Sequence, residues 1–148
     1  MRTLVTFKSS AFNTSAPKDC FINPGCFGED AAKWMMQELQ ERGFPPVGEP
    51  SQEDFGWYFT FRVGNTEHDF VIGFRPGEAS SEGDWVGWLE RKRGFIGSLV
   101  GGRKRGVHPA AAHALHAVLS ASPQIRDVRW HVQPDFDRGR EELGSHEP

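Results

Sequence analysis

The sequence predicts an α+β fold, a two-layer sandwich in which a mostly antiparallel five-stranded sheet carries two helices on one face. Two neighbouring segments alternate apolar and polar residues around a turn at Gly64-Asn65, which is typical of an antiparallel hairpin. Two other segments, 29–42 and 109–121, repeat apolar residues at helical spacing. Twelve Phe and five Trp in 148 residues supply the buried area that such a core needs. The predicted element order is β-α-β-β-β-α-β. Two amphipathic helices and an aromatic-faced sheet bury their apolar faces best when they pack as two layers.

The first strand and the first helix lie before residue 43. Residues 3–8 alternate weakly between apolar and polar side chains, which predicts a short strand. A long loop over 9–28 follows. The helix is predicted over 29–42, because apolar residues recur there at helical spacing and because Glu29 and Asp30 suit the helix dipole in the first turn.

A meander of three strands makes up the middle of the chain. Residues 44–54 contain three prolines and are predicted as a connecting loop. The strongest strand signal follows at 57–63, where aromatic residues alternate with polar ones. A return strand with alternating Phe and Ile residues follows the turn. After a flexible loop at 76–83, a third strand is predicted over 84–90.

The last third of the chain predicts a helix and a final strand. A glycine-rich basic stretch, 94–106, precedes a helix over 109–121 that starts with Pro109, a favoured first helical residue. Pro123 stops this helix, and residues 125–132 alternate as the last strand.

We predict one domain over 1–134 and a polar, flexible tail over 135–148. No segment approaches the roughly 18 apolar residues that cross a bilayer, and the first ten residues lack the features of a secretory signal. Two cysteines are too few for a disulfide scaffold. These features predict a cytoplasmic protein that makes no membrane contact.

Positive charge is concentrated in residues 91–105, which carry six cations and no acid. The whole chain has a net charge of −3, so the remaining residues sum to −9. Such segregation favours binding of an anionic partner. The six cations are Arg91, Lys92, Arg93, Arg103, Lys104 and Arg105.

This basic segment has three interpretations. Glycines next to a helix N-terminus suit anion binding, so a nucleic acid or another phosphate ligand is one partner class. An acidic protein surface is another, and a solvated cationic loop is the third. The stretch 97–104 lacks the Lys-Ser/Thr ending of a nucleotide-binding loop, which excludes a nucleoside triphosphatase of that type.

Other candidate chemical groups carry weaker signals. Glu53 and Asp54 lie just before the predicted strand that contains Trp57, where they can serve in binding. Adjacent side chains on an extended chain point to opposite faces, however, so the two carboxylates would not naturally share one site. Cys20 and Cys26 flank a turn and are expected to be free thiols. His113 and His116 are expected to face solvent. We therefore predict no catalytic residue, no metal and no cofactor.

The sheet face away from the helices carries the remaining binding candidates. Alternation places Tyr58 and Trp88 on this face, among charged residues of both signs. An aromatic side chain that is not needed in the core and that lies beside charge often marks a contact surface. Partial burial without a partner is the alternative interpretation.

Three segments resemble parts of small bacterial α+β proteins of a family with unknown function, and the similarity extends over residues 3–132. The segments are 21–30 (Phe-Ile-Asn-Pro-Gly-Cys-Phe-Gly-Glu-Asp), 52–57 (Gln-Glu-Asp-Phe-Gly-Trp) and 94–97 (Gly-Phe-Ile-Gly). The resemblance implies a bacterial, cytoplasmic origin and transfers no activity. In size and class the chain also resembles immunity proteins that neutralise toxins, which is an analogy.

The sequence thus predicts a small non-catalytic module that docks a protein partner, with immunity as one form of this function. The sheet face with Trp88 and Tyr58 supplies the anchors, and the basic segment supplies electrostatic steering. Binding of nucleic acid or a phosphate ligand by 91–105 is the first alternative. An enzyme of unfamiliar type, using Glu53, Asp54 or His108, is the second.

Overall fold

The computed structural model describes residues 1–22, 25–54, 56–76, 83–92 and 106–148. These ranges contain six strands, three α-helices and one 3-10 turn. In chain order the elements are β1 (Leu4–Ser9), α1 (Glu29–Glu41), β2 (Pro46–Glu53), β3 (Gly56–Val63), β4 (Thr66–Arg75), β5 (Gly83–Arg91), α2 (Pro109–Ala121), β6 (Arg126–His131), α3 (Gln133–Asp137) and the 3-10 turn (Glu141–Leu143).

The six strands form one open sheet in the order β2-β3-β4-β5-β1-β6, and every neighbouring pair is antiparallel. The α+β class and the antiparallel sheet are confirmed. The first strand of the chain lies inside the sheet, between β5 and β6. No helix in the part of the chain that the structure describes has both the length and the apolar character to cross a membrane.

The prediction of five strands was wrong, because β2 occupies residues predicted as a loop. Proline lacks the backbone N–H that a sheet interior requires, but an edge strand is paired on one side only and tolerates it. β2 is the edge strand next to β3, and its pairing is irregular between Val47 and Ser51. Gly48, with φ of +70°, lies inside this irregularity.

The core lies between the sheet and the pair α1 and α2. Aromatic side chains from β3, β4 and β5 meet alanine, leucine and methionine residues from the two helices. Trp57, Trp85 and Trp130 are buried there, as the alternation predicts, and Trp34 lies half-buried on the flank of α1 against Phe12. Both helices therefore cover one face, as predicted.

The third helix, α3, lies against the other face of the sheet, which was not predicted. The Phe136 ring contacts the His131 ring and lies under the Arg75 guanidinium. Farther on, Ser145 exchanges two backbone hydrogen bonds with Trp130 at the edge strand β6. The segment 135–148, predicted as a polar and flexible tail, thus contains part of α3, the 3-10 turn and a bridge to β6. The domain boundary at 134 and the flexibility of the tail stay predictions.

Candidate functional site

The face of the sheet opposite α1 and α2, here called the open face, is crossed by a row of side chains from five strands. Directly paired residues of antiparallel strands share a face. The pairings therefore place Tyr58, Val71, Trp88, Leu4 and His131 side by side, and we call these five residues the central row. Leu4 and Val71 are only 3% and 7% exposed, while Tyr58 and Trp88 are half-buried. The two predicted aromatic anchors thus flank Val71.

An acidic row runs along one side of the central row. Asp69 and Glu90 are direct partners across β4 and β5, and two like charges so placed repel each other. Thr60 pairs with Asp69 across β3 and β4, and its hydroxyl donates to Oδ1 of Asp69 over 2.5 Å. This hydrogen bond stabilises the carboxylate of Asp69 beside its neighbour.

Beyond the acidic row, Glu67 forms ion pairs with two basic side chains. Its carboxylate forms ion pairs with Arg62 at 3.1 Å and with Lys92 at 3.4 Å. The hydrogen bond from Arg62 is the main cause that lowers the pKa of Glu67. Lys92, one of the six predicted binding cations, therefore shares one carboxylate with Arg62 and stays partly exposed.

Of the basic segment 91–105, the described residues include only Arg91 and Lys92. Arg91 ends β5, is exposed and lies opposite His68 of β4. Arg93, Arg103, Lys104 and Arg105 lie outside the described residues. The gathering of all six cations into one patch therefore stays a prediction.

On the other side of the central row, the open face contains a cavity of about 440 Å³, here called the charged cavity. Six ionisable side chains from β1, β4, β5, β6 and the chain after α3 line it, and they are Lys8, Arg75, Asp84, Asp127, Arg129 and Glu141. Three of these groups are cations and three are carboxylates, so the wall carries no net charge.

Arg75 and Glu141 form one fixed pair in this wall. The two Nη nitrogens of Arg75 donate to the two carboxylate oxygens of Glu141 over 3.2 and 2.6 Å. This arrangement lowers the pKa of Glu141 and raises that of Arg75. Bidentate guanidinium–carboxylate pairing is geometrically specific, so it holds the 3-10 turn against the end of β4.

A β-bulge shapes the far wall of the charged cavity. The pairing of β1 with β6 shifts between Thr6 and Lys8, which face Arg129 and Arg126 respectively. Asp127 lies in the bulge with φ of +53°, the only positive φ at a non-glycine residue in the described part of the chain. Bulges redirect side chains next to functional sites.

His131 lies beneath this region and is almost fully buried. Its Nε2 shares a hydrogen bond with Oγ1 of Thr6 over 2.8 Å, and among the described residues its Nδ1 has no partner. Burial lowers the pKa of His131. A Cβ at Gly144 would lie 2.6 Å from the imidazole, so only glycine fits there.

Glu53 and Asp54 lie at the β2 edge of the sheet. Glu53 ends the edge strand β2 and Asp54 follows in a turn, both exposed. The backbone carbonyl of Glu53 accepts from the Cys26 thiol over 3.5 Å, and Trp57 is buried with its Nε1 donating to the Cys26 carbonyl. Because Glu53 pairs with Gly56, two residues before Tyr58, the register places Glu53 on the open face at its β2 edge.

A second polar cluster, around Glu29, was missed by the sequence analysis. Glu29 lies in the first turn of α1, as predicted, but its side chain is only 6% exposed, which the sequence did not indicate. Its carboxylate accepts from the Cys20 thiol over 3.0 Å and from Nζ of Lys18 over 2.9 Å, with Nζ of Lys33 at 3.6 Å. These contacts lie at the mouth of a cavity of about 300 Å³, which Trp57 also lines.

The chemistry of this cluster disfavours a nucleophilic cysteine. The hydrogen bond to Glu29 raises the pKa of the Cys20 thiol, and the same bond lowers the pKa of Glu29. Only the thiolate is a good nucleophile. Cys20 and Cys26 are both free thiols. The only sequence signal for this cluster is the helical spacing of Glu29 and Lys33.

The histidines of α2 differ from one another. His113 is exposed as predicted, but His116 is half-buried and its Nδ1 accepts from Nε1 of Trp130 over 3.2 Å. The expectation that both face solvent was therefore wrong for His116. In the described ranges no group of three or more His, Cys, Asp or Glu side chains has metal-binding geometry.

In comparisons with known proteins, no family model, no curated protein and no solved structure matches this chain.

Proposed function

We propose that the protein is a small non-catalytic module that docks a protein partner on its open face. The observation that carries this proposal is the position of Tyr58 and Trp88 on either side of Val71 in the central row. Both aromatic side chains are half-buried, so part of each packs against the protein while part remains accessible. Aromatic side chains have few rotatable bonds, so they bind at low entropic cost and dominate many interfaces.

The surroundings of the central row support the same function. Protein interfaces combine an apolar centre with a polar rim. Here the rim consists of the acidic pair Asp69 and Glu90 on one side and the charged cavity on the other. Unequal charges on the two sides fix the orientation of a partner.

The basic segment 91–105 contributes electrostatic steering in this proposal. It begins at Arg91 and Lys92, at the end of β5 next to Glu90. The bacterial, cytoplasmic and immunity-type identity of the module belongs to the proposal in the same way, since it rests on the sequence resemblance. Nucleic-acid or phosphate binding by 91–105 and an unfamiliar enzyme activity stay alternative predictions.

The test compares variants of the full-length protein as affinity baits in a lysate of the native host. Trp88→Ala and Tyr58→Ala remove the anchors, and Trp34→Ala is the matched control on the helix side. A protein retained by the wild type and by the control, but lost with both anchor variants, is then purified and titrated. We expect a Kd at least about 30-fold weaker for Trp88→Ala, the size of an interface hot spot.

The result that contradicts the proposal is equally specific. If the purified partner binds folded Trp88→Ala and Tyr58→Ala with unchanged Kd, the central row is not the docking site. If no protein depends on either aromatic residue for retention, the docking function itself is wrong. Circular dichroism of each variant shows that the fold is retained.

A further inference from the structure

We infer that the charged cavity is a binding site for a small zwitterion, of the size of a free amino acid or a dipeptide. This site is separate from the proposed docking of a protein on the central row and does not depend on it. Its volume of about 440 Å³ lies within the usual range for small-molecule sites.

Four of the six ionisable groups in the wall, Lys8, Asp84, Asp127 and Arg129, form no side-chain hydrogen bond or ion pair with another described residue. Asp84 is the direct cross-strand partner of both Lys8 and Arg75, and its charge contributes to raising the pKa of Arg75 without a direct contact to either cation. Two cations and two carboxylates therefore line the cavity without being held by a direct contact.

The remaining two ionisable groups of the cavity wall, Arg75 and Glu141, are hydrogen-bonded to each other. Arg75 and Glu141 neutralise each other through two hydrogen bonds, so they form a rigid part of the wall. A ligand that carried a single charge would leave one pair of available groups without a counterpart. A ligand with both an ammonium and a carboxylate matches Asp84 and Asp127 on one side and Lys8 and Arg129 on the other.

The sheet fixes the positions from which these side chains project. Lys8 and Asp84 lie on interior strands of the sheet, each paired on both sides. Asp127, in the bulge of β6, lines the cavity together with Arg129. The backbone positions of the four charges are therefore set by the fold, while a ligand still has to order the side chains.

The experiment uses three probes of similar size that carry different charges: the dipeptide Ala-Ala, its N-acetyl form and its C-terminal amide. Amide NMR spectra of the full-length protein are recorded during each titration at neutral pH. We expect Ala-Ala to shift the amide signals of Lys8, Asp84 and Arg129 in a saturable way. Each capped probe, which lacks one charge, should bind at least about tenfold more weakly.

Single substitutions show which side chains contribute to the affinity for Ala-Ala. Asp84→Asn should weaken Ala-Ala about tenfold and should leave the N-acetyl probe unchanged, because that probe has no ammonium. Arg129→Gln should weaken Ala-Ala and leave the amide probe unchanged. The controls are Asp19→Asn and Arg138→Gln, both of which change exposed residues outside the cavity.

Two outcomes overturn the inference. If the N-acetyl probe binds as tightly as Ala-Ala, the cavity recognises a carboxylate alone. If Ala-Ala produces no saturable shift at millimolar concentration, the cavity is not a zwitterion site. Trp88→Ala should leave the Ala-Ala titration unchanged, so failure here is distinct from failure of the protein-docking proposal.

Discussion

The backbone N–H of His108 donates a hydrogen bond to Nε2 of His68 over 3.1 Å, and this contact joins the start of α2 to β4. His68 is 0% exposed and packs beside Phe61 in the core. An Nε2 atom that accepts a hydrogen bond carries no proton, so the imidazole of His68 is neutral in the folded protein. His108 in turn caps α2, because its Nδ1 accepts from the N–H of Ala110.

We predict that the free energy of unfolding falls as the pH drops below about 6.5. Burial lowers the pKa of His68 in the folded state, and Arg91 and His108 nearby lower it further. The unfolded chain therefore takes up a proton first, and stability is lost from the ordinary pKa downwards until the folded-state pKa is reached. The loss is at most about 1.4 kcal/mol per pH unit for each such group.

Urea unfolding at a series of pH values measures this effect. Burial also lowers the pKa of His131. The double variant His68→Gln/His131→Gln should therefore remove most of the pH dependence of the free energy of unfolding. The control is His113→Gln on the exposed side of α2. An unchanged slope in the double variant would show that the two buried histidines are not the titrating groups.

We expect Gly87→Ala to destabilise the protein by about 1–3 kcal/mol, because it overpacks the core. A Cβ at Gly87 would lie 2.3 Å from Cζ of Phe70, a ring that is fully buried. Chemical denaturation measures the change, and Gly106→Ala is the control, since nothing lies within 4 Å of its Cβ position. Adding Phe70→Leu should recover part of the loss. A neutral Gly87→Ala variant would contradict this account of the contact.

We expect Glu29→Gln to make the Cys20 thiol more reactive. The carboxylate of Glu29 raises the pKa of Cys20 through their hydrogen bond, so its removal increases the thiolate fraction. Iodoacetamide labelling near pH 8 should become at least about threefold faster at Cys20. Cys26, which is buried, should label slowly in both proteins. With Glu142→Gln as an exposed control, an equal labelling rate in all three proteins would contradict the predicted coupling.

We expect Arg75→Ala to loosen the segment after α3 while changing global stability by less than about 1 kcal/mol. Both members of the Arg75–Glu141 pair are about two-fifths exposed, so water and salt screen their attraction. The substitution also removes the contact with Phe136. Limited trypsin digestion at Arg138 and Arg140 should become faster. Arg62→Ala is the control, and equal digestion rates would show that this pair does not hold the segment.

The sequence predicts those elements whose signal is local. The aromatic alternation of β3 and the proline at the first position of α2 each occur within a few residues, so the predicted and observed bounds agree closely. The same alternation placed Tyr58 and Trp88 on one face. By contrast, β2 is a strand only because β3 pairs with it, and no local pattern reveals such a neighbour.

The cavities were beyond sequence reasoning for a related reason. The charged cavity combines Lys8, Asp84 and Glu141, which lie far apart in the chain and meet only through the strand order. The contact between Cys20 and Glu29 depends on the path of an irregular loop, and loops carry no periodic signal.

The interior position of β1 governs the order in which the sheet is completed. Its partners are distant along the chain: Thr6 meets His131 across 125 positions, and Ser9 meets Trp85 across 76. Contacts of such wide separation slow folding. During translation β1 can pair with β5 once residue 91 has been made, but its other edge finds its partner only after β6 has followed. Until then, one edge of an apolar strand that the finished sheet covers is open to pairing with another chain.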